Sequence, residues 1–129
     1  GFSLLDYRWN ADFSPLKPFI EKITRAAIQN KQRADLVLNV NFPALPEGEI
    51  KGIRVCRQAK ANWVEKFDKR QSPMGRDYYW LTGEFINEDK GQDTDEWALK
   101  EGYISVVPTQ FDLTAHHAIQ ELNSWNFEN

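Results

Sequence analysis

The segment from Trp63 to Trp80 constrains the fold of this chain more than any other. It reads Trp-Val-Glu-Lys-Phe-Asp-Lys-Arg-Gln-Ser-Pro-Met-Gly-Arg-Asp-Tyr-Tyr-Trp, with aromatic residues on both sides of a Ser-Pro-Met-Gly turn signal. That pattern predicts a β-hairpin with an aromatic, cation-rich surface. A lone hairpin is marginal in water, so one carrying this much apolar area is expected to lie on something. Either the rest of the domain covers it, as in an ordinary core hairpin, or a second copy of the chain does.

With 129 residues the chain is long enough for one domain with a real core and too short to expect two. A hydrophobic content of 41% points to a packed protein, not a disordered one. Its longest apolar runs, such as Leu36–Leu38 and Ile104–Val107, fall far short of the ~20 residues a membrane span needs. No secretory pattern opens the chain, and no membrane partner is expected. The single cysteine, Cys56, cannot form an internal disulfide, which favours a reducing, cytoplasmic setting. Lying in an apparent strand, it reads as a packing thiol.

A net charge of -3 argues against binding a nucleic-acid polymer, which needs a basic surface. The charge is uneven. Lys51, Arg54, Arg57, Lys60, Lys66, Lys69, Arg70 and Arg76 outnumber Glu65 and Asp68 between positions 51 and 76. From Glu84 to Glu101 the balance reverses, with only Lys90 and Lys100 against seven acids. Two solvated surfaces would explain this. So would a basic region facing an anion, or facing the acidic region of a neighbouring subunit.

The remaining elements follow from periodicity. Gly1-Phe-Ser-Leu-Leu-Asp6 begins at once with a strand-like run and reads as the continuation of something longer. Ser14-Pro15 supplies an N-cap and a first-turn proline. Leu16, Phe19, Ile20, Ile23 and Ala27 then recur at helical spacing, predicting an amphipathic helix that ends near Asn30. Leu36–Asn41 reads as a strand buried on both faces, with Asn39 and Asn41 tying down a neighbouring loop. Ile50–Gln58 reads as a second strand. Thr94 or Asp95 caps a short helix through Trp97 and Leu99 that ends at Gly102. Tyr103–Val107 is a strand stopped by Pro108. Thr114 caps a last helix whose apolar face is Ala115, Ala118, Ile119, Leu122 and Trp125. Strands among helices, with a hairpin between them, place the chain in the α/β or α+β class.

Catalytic chemistry is harder to find. The two histidines, His116 and His117, are adjacent and point about 100° apart on a helix, so they cannot chelate one ion together. There is no Walker loop, no Gly-x-Ser-x-Gly elbow and no Cys-x-x-Cys. Asp93 and Asp95 lie in a polar loop that lacks the ligand order of an EF-hand. No catalytic residue and no metal ligand is assigned within this chain. A standalone dimerisation module is therefore a live alternative to an enzyme.

Five ordered segments carry a resemblance. They are Leu38-Asn-Val-Asn-Phe-Pro43, Lys51-Gly-Ile-Arg-Val-Cys-Arg-Gln58, Ser72-Pro-Met-Gly-Arg-Asp-Tyr-Tyr-Trp80, Thr94-Asp95, and the run from Glu101 to Thr114. Together they resemble the C-terminal half of the SurE family, the stationary-phase survival nucleotidases, over nearly the whole chain. The resemblance implies an α/β, Rossmann-like fold treated as one partial domain (1–129), with a projecting hairpin arm (59–83) and a C-terminal tail and helix (108–129). It implies a phosphatase of nucleoside 5′- and 3′-monophosphates that uses a divalent cation, magnesium or manganese. The family's metal site of paired aspartates, a serine and an asparagine has no counterpart in these residues. The isolated chain is therefore expected to be inactive, to bind no cation by itself, and to meet substrate only through the other half. What the resemblance does place here is self-association as a dimer or tetramer. Trp63, Phe67, Tyr78, Tyr79 and Trp80 fall in the arm, and Phe111, Asp112, Thr114 and His116 at the start of an exchanged tail. Simple helix capping would account equally well for Asp112 and Thr114.

Overall fold

The computed structural model describes residues 1–30 and 36–127. The last two residues of the expected tail therefore lie outside the described part. A four-stranded mixed sheet is formed by β1 (Phe2–Leu4), β2 (Val37–Phe42), β6 (Ile104–Thr109) and β3 (Ile53–Val55), in that spatial order. Helix α1 (Lys17–Gln29) connects the parallel neighbours β1 and β2, a βαβ unit. Strand β6 runs antiparallel to β2 and parallel to β3. The hairpin strands β4 (Ala61–Gln71) and β5 (Asp77–Asn87) make a separate two-stranded sheet. Short helices α2 (Asp95–Lys100) and α3 (His116–Leu122) complete the chain.

Alternation along the strands sorts the core into two layers. Leu38 and Val40 line up across β6 with Pro108 and Val106, and Phe42 and Ile104 fall on the same face of the sheet. Helix α1 covers that face, so Leu16 and Ile23 are buried with Val40, Phe42, Ile104 and Val106, and Phe19 and Ile20 pack alongside. On the other face α2 brings Ala98 onto Cys56 and Val107, with Trp97 and Tyr103 at the margin. Burial of Cys56 pushes its thiol pKa up, which suits the packing role read from the sequence. Thr94 caps α2 as expected, its hydroxyl accepting the Trp97 N–H at 3.2 Å.

Several local expectations are corrected. Strand β2 is buried on one face only, because Val37 and Asn39 point away from α1 and stay exposed. On that same side Asn39 and Asn41 make no side-chain hydrogen bond to any described residue, so they tie down no loop here. Ser14 does not cap α1. Its N–H donates to Asp12 Oδ1 at 2.8 Å, and a 3-10 turn over Ser14–Leu16 precedes the helix. Two prolines, Pro15 and Pro18, remove donors there, and the tighter turn accommodates them. The expected strand Ile50–Gln58 shrinks to three residues. Cys56 still donates its N–H to Val106 O, but Arg57 turns aside to bridge Thr94.

Pro108 does not stop β6, which continues to Thr109. Val106 O accepts from Cys56 N–H and so faces β3, and alternation turns residue 108 the same way. By that point β3 has ended, so the missing proline donor faces no strand. Thr114 does not cap α3, which begins without a side-chain cap at Ala115. Among the described residues no helix is long and apolar enough to cross a membrane.

Phe42 is 0% exposed at the centre of the larger core. Phe42→Ala should cost about 3–5 kcal/mol of unfolding free energy, against about 1 kcal/mol for loss of the cap in Thr94→Ala. Urea unfolding followed by tryptophan fluorescence distinguishes the two magnitudes.

Candidate functional site

The arm pairs residue for residue, from Ala61 opposite Asn87 to Gln71 opposite Asp77. It extends beyond the expected 59–83 segment, because Glu84–Asn87 continue the second strand. Strand alternation divides the five aromatic residues singled out in the sequence between two faces. Trp63, Phe67 and Tyr79 share one face with Leu81 and Phe85, while Tyr78 and Trp80 share the other with Val64 and Ile86. No core covers either set. Trp63, Phe67 and Trp80 are 57%, 67% and 53% exposed, and Tyr79 is similarly open. The reading as an ordinary core hairpin fails within this chain.

On the first face the aromatic stripe is continuous because of one glycine. Gly83 lies opposite Glu65, and the Trp63 indole lies so close over it that a Cβ there would collide with the ring. Sequence reasoning missed Leu81, Gly83 and Phe85. The signal was available in the alternate positions 79, 81 and 85. Each face also carries an ion pair, Lys69–Asp77 at 2.6 Å on the first and Lys66–Glu84 at 3.0 Å on the second, where the Arg70 guanidinium lies 5.7 Å from the Trp80 ring centre.

The two oppositely charged segments meet inside one chain. Arg57 reaches Asp89 at 2.6 Å and Asp93 at 2.9 Å, and Lys66 reaches Glu84 at 3.0 Å, while Lys69 pairs with Asp77 between the segments at 2.6 Å. Arg54 lies 4.5 Å from the ring centre of Tyr103 and 5.1 Å from that of Trp97. Six bases of the strip (Lys51, Arg54, Arg57, Lys66, Lys69 and Arg70) thus already have partners in their own chain.

Asp89, Asp93 and Asp95 come nearest to an oxygen cage for a cation, and they do not fit one. The Arg57 guanidinium occupies Asp89 and Asp93, while Asp95 Oδ1 accepts from the Ala59 and Glu96 N–H groups. Asp89 is held well below the usual carboxylate range, first by Arg57 and then by the Lys60 and Gly91 N–H groups. The same contacts push the Arg57 pKa up. Among the described residues no three His, Cys, Asp or Glu side chains converge as a metal site.

The candidate tail residues form a local turn. Asp112 Oδ1 accepts the Thr114 N–H at 2.9 Å, and its Oδ2 lies 2.7 Å from His116 Nε2. Phe111 projects into solvent, 82% exposed, and takes no part in that turn. The apolar side of α3 is likewise uncovered, with Ile119, Leu122 and Trp125 all exposed.

A family model described as survival protein SurE matches residues 1–65. The chain belongs to the SurE family. A protein named 5′-nucleotidase SurE from Flavobacterium johnsoniae is 69% identical over 125 residues, which is 97% of this chain and 48% of the relative. Its namesake in Flavobacterium psychrophilum is 67% identical, over 98% of this chain and 49% of the relative. The crystal structure of the SurE protein from Aquifex aeolicus superposes with a TM-score of 0.73 at 33% identity, covering 95% of this chain and 49% of that one. The chain thus spans about half the length of the curated SurE relatives it matches. The α/β architecture implied by the resemblance is the one found.

Hydrogen bonds from Thr114, and then from His116, lower the Asp112 pKa from 3.8 to about 2. A lowered carboxylate pKa contributes stability above its unfolded value and loses it as the pH falls through the folded one. The turn around Asp112 should therefore be intact above pH 3.8 and lost towards pH 2. Carboxyl carbon NMR shifts of Asp112 should show the low midpoint, and His116→Ala, which removes the partner of Oδ2, should raise it.

Proposed function

We propose that this chain is the C-terminal portion of a nucleoside 5′/3′-monophosphate phosphatase, supplying part of the sheet and the elements of assembly. The similarity over 97% of the chain to a relative named 5′-nucleotidase SurE carries this reading. In the complete protein a divalent cation, magnesium or manganese, would polarise the phosphate and orient the attacking water. Its ligands and the groups that touch substrate belong to the other half. The protein would work in the cytoplasm, as a dimer or tetramer. A standalone dimerisation module, the rival reading from sequence, would share the assembly and lack the chemistry.

The exposed aromatic arm supports self-association, because contiguous apolar surface of this kind is characteristic of interaction sites. Within the arm, the stripe of Trp63, Phe67, Tyr79, Leu81 and Phe85 is the better contact face, since it aligns five large apolar side chains against four on the opposite face, while each face carries one ion pair.

Two measurements test the proposal. The purified chain with magnesium or manganese should release no phosphate from AMP, and a complete protein containing it should do so with either metal. Metal-dependent turnover by the chain alone would overturn the division of labour. Light scattering should give an oligomer for the unaltered chain and a monomer for the double variant Phe67→Ser, Phe85→Ser. The variant Tyr78→Ser, Trp80→Ser should retain the oligomer, and the reverse pattern would assign the contact to the other face.

A further inference from the structure

We infer that the Asp89 carboxylate pins the arm to the body, so that hairpin and sheet turn as one rigid unit through contacts internal to the chain. The arm needs such a device. Its ladder satisfies only its own two strands, and its side chains are largely exposed. A two-stranded ribbon joined by its ends alone would swing.

Asp89 lies just past the end of β5 and gathers both roots of the ribbon. Its Oδ2 accepts from Arg57 Nη1–H at 2.6 Å and from the Lys60 N–H, at the start of β4, at 3.0 Å. Its Oδ1 accepts from Arg57 Nη2–H and the Gly91 N–H, both at 3.0 Å. Arg57 in turn is fixed to the body. Its N–H donates to Asp93 O, its carbonyl accepts the Asp95 N–H, and it bridges Thr94, the cap of α2. The connection therefore runs from the second strand through one carboxylate to the first strand, and on to the helix on the sheet.

The geometry is specific to these groups. Asp89 takes the guanidinium through both of its oxygens, a match that lysine cannot reproduce. Gly91 is equally constrained, since a Cβ there would collide with Arg57 and with the Asp93 carboxylate. The Asp89 side chain is only 10% exposed, whereas Asp93, on the outer side of Arg57, is 68% exposed. A further root contact, the Ala59 N–H to Asp95 Oδ1 at 2.8 Å, holds only the first strand. Alone it would act as a pivot.

Residual dipolar couplings of backbone amides test it directly on the full chain in the Phe67→Ser, Phe85→Ser background, so that no partner copy holds the arm. With Asp89 and Arg57 in place, amides of β4 and β5 should fit the same alignment tensor as those of β2 and β6. In Asp89→Asn the arm couplings should shrink roughly twofold relative to the sheet as the ribbon gains amplitude, while the arm's own cross-strand contacts persist. A change in stability alone would not scale one set of couplings against the other. If Asp89→Asn does not fold, Arg57→Lys keeps the charge, removes the fork, and should give the same selective loss. A single tensor for arm and sheet in whichever variant folds would overturn the inference. So would an arm that already fails to share the tensor when Asp89 and Arg57 are both in place.

Discussion

Everything in the body of this molecule hangs on β6. Ile104 through Val107 are buried, and the strand bonds to β2 on one side and β3 on the other. Its alternate side chains feed two separate cores, Ile104 and Val106 towards α1 and Val107 towards α2. A strand covered on both faces must be apolar at consecutive positions, which is why Ile-Ser-Val-Val can occupy only this place. Ser105 is the exception. Its hydroxyl is buried without a hydrogen-bond partner among the described residues, a local cost offset by the apolar contacts around it.

How well the sequence announced each element depended on how local its cause was. Helix α1 and the cap of α2 follow from contacts three or four residues apart, so spacing and a threonine sufficed. The arm was legible from its turn signal and aromatic residues, because a hairpin is the most local form of sheet. Strand ends were less legible, since Pro108 is harmless only because β3 has already stopped, a fact about another segment. Most opaque was the pairing of Arg57 with Asp89. The two are 32 positions apart, and the entire hairpin intervenes. A count of charges could show that the two stretches differ in sign, but not that they meet.

The same distinction governs the candidate site. The aromatic residues of the arm were found by type, but their grouping required a register. Tyr78, Tyr79 and Trp80 are consecutive, and a single strand cannot present all three to one surface. Leu81 and Phe85 complete the stripe that Tyr79 joins, while Tyr78 and Trp80 look away. The tail residues divide as well, into a bonded turn around Asp112 and apolar side chains with no cover. Arm and tail thus share one property, apolar area that this chain does not itself enclose.

Pro108 has a consequence for the far margin of the sheet. An exposed strand edge is a template on which other chains can stack, and natural proteins blunt such edges by keeping them short or by placing proline nearby. Here the outermost strand has three residues, and just beyond its end the proline removes the β6 donor that would face this edge. A foreign strand laid along this border would find too few hydrogen bonds to extend, so fibrillar growth from that side has no foothold.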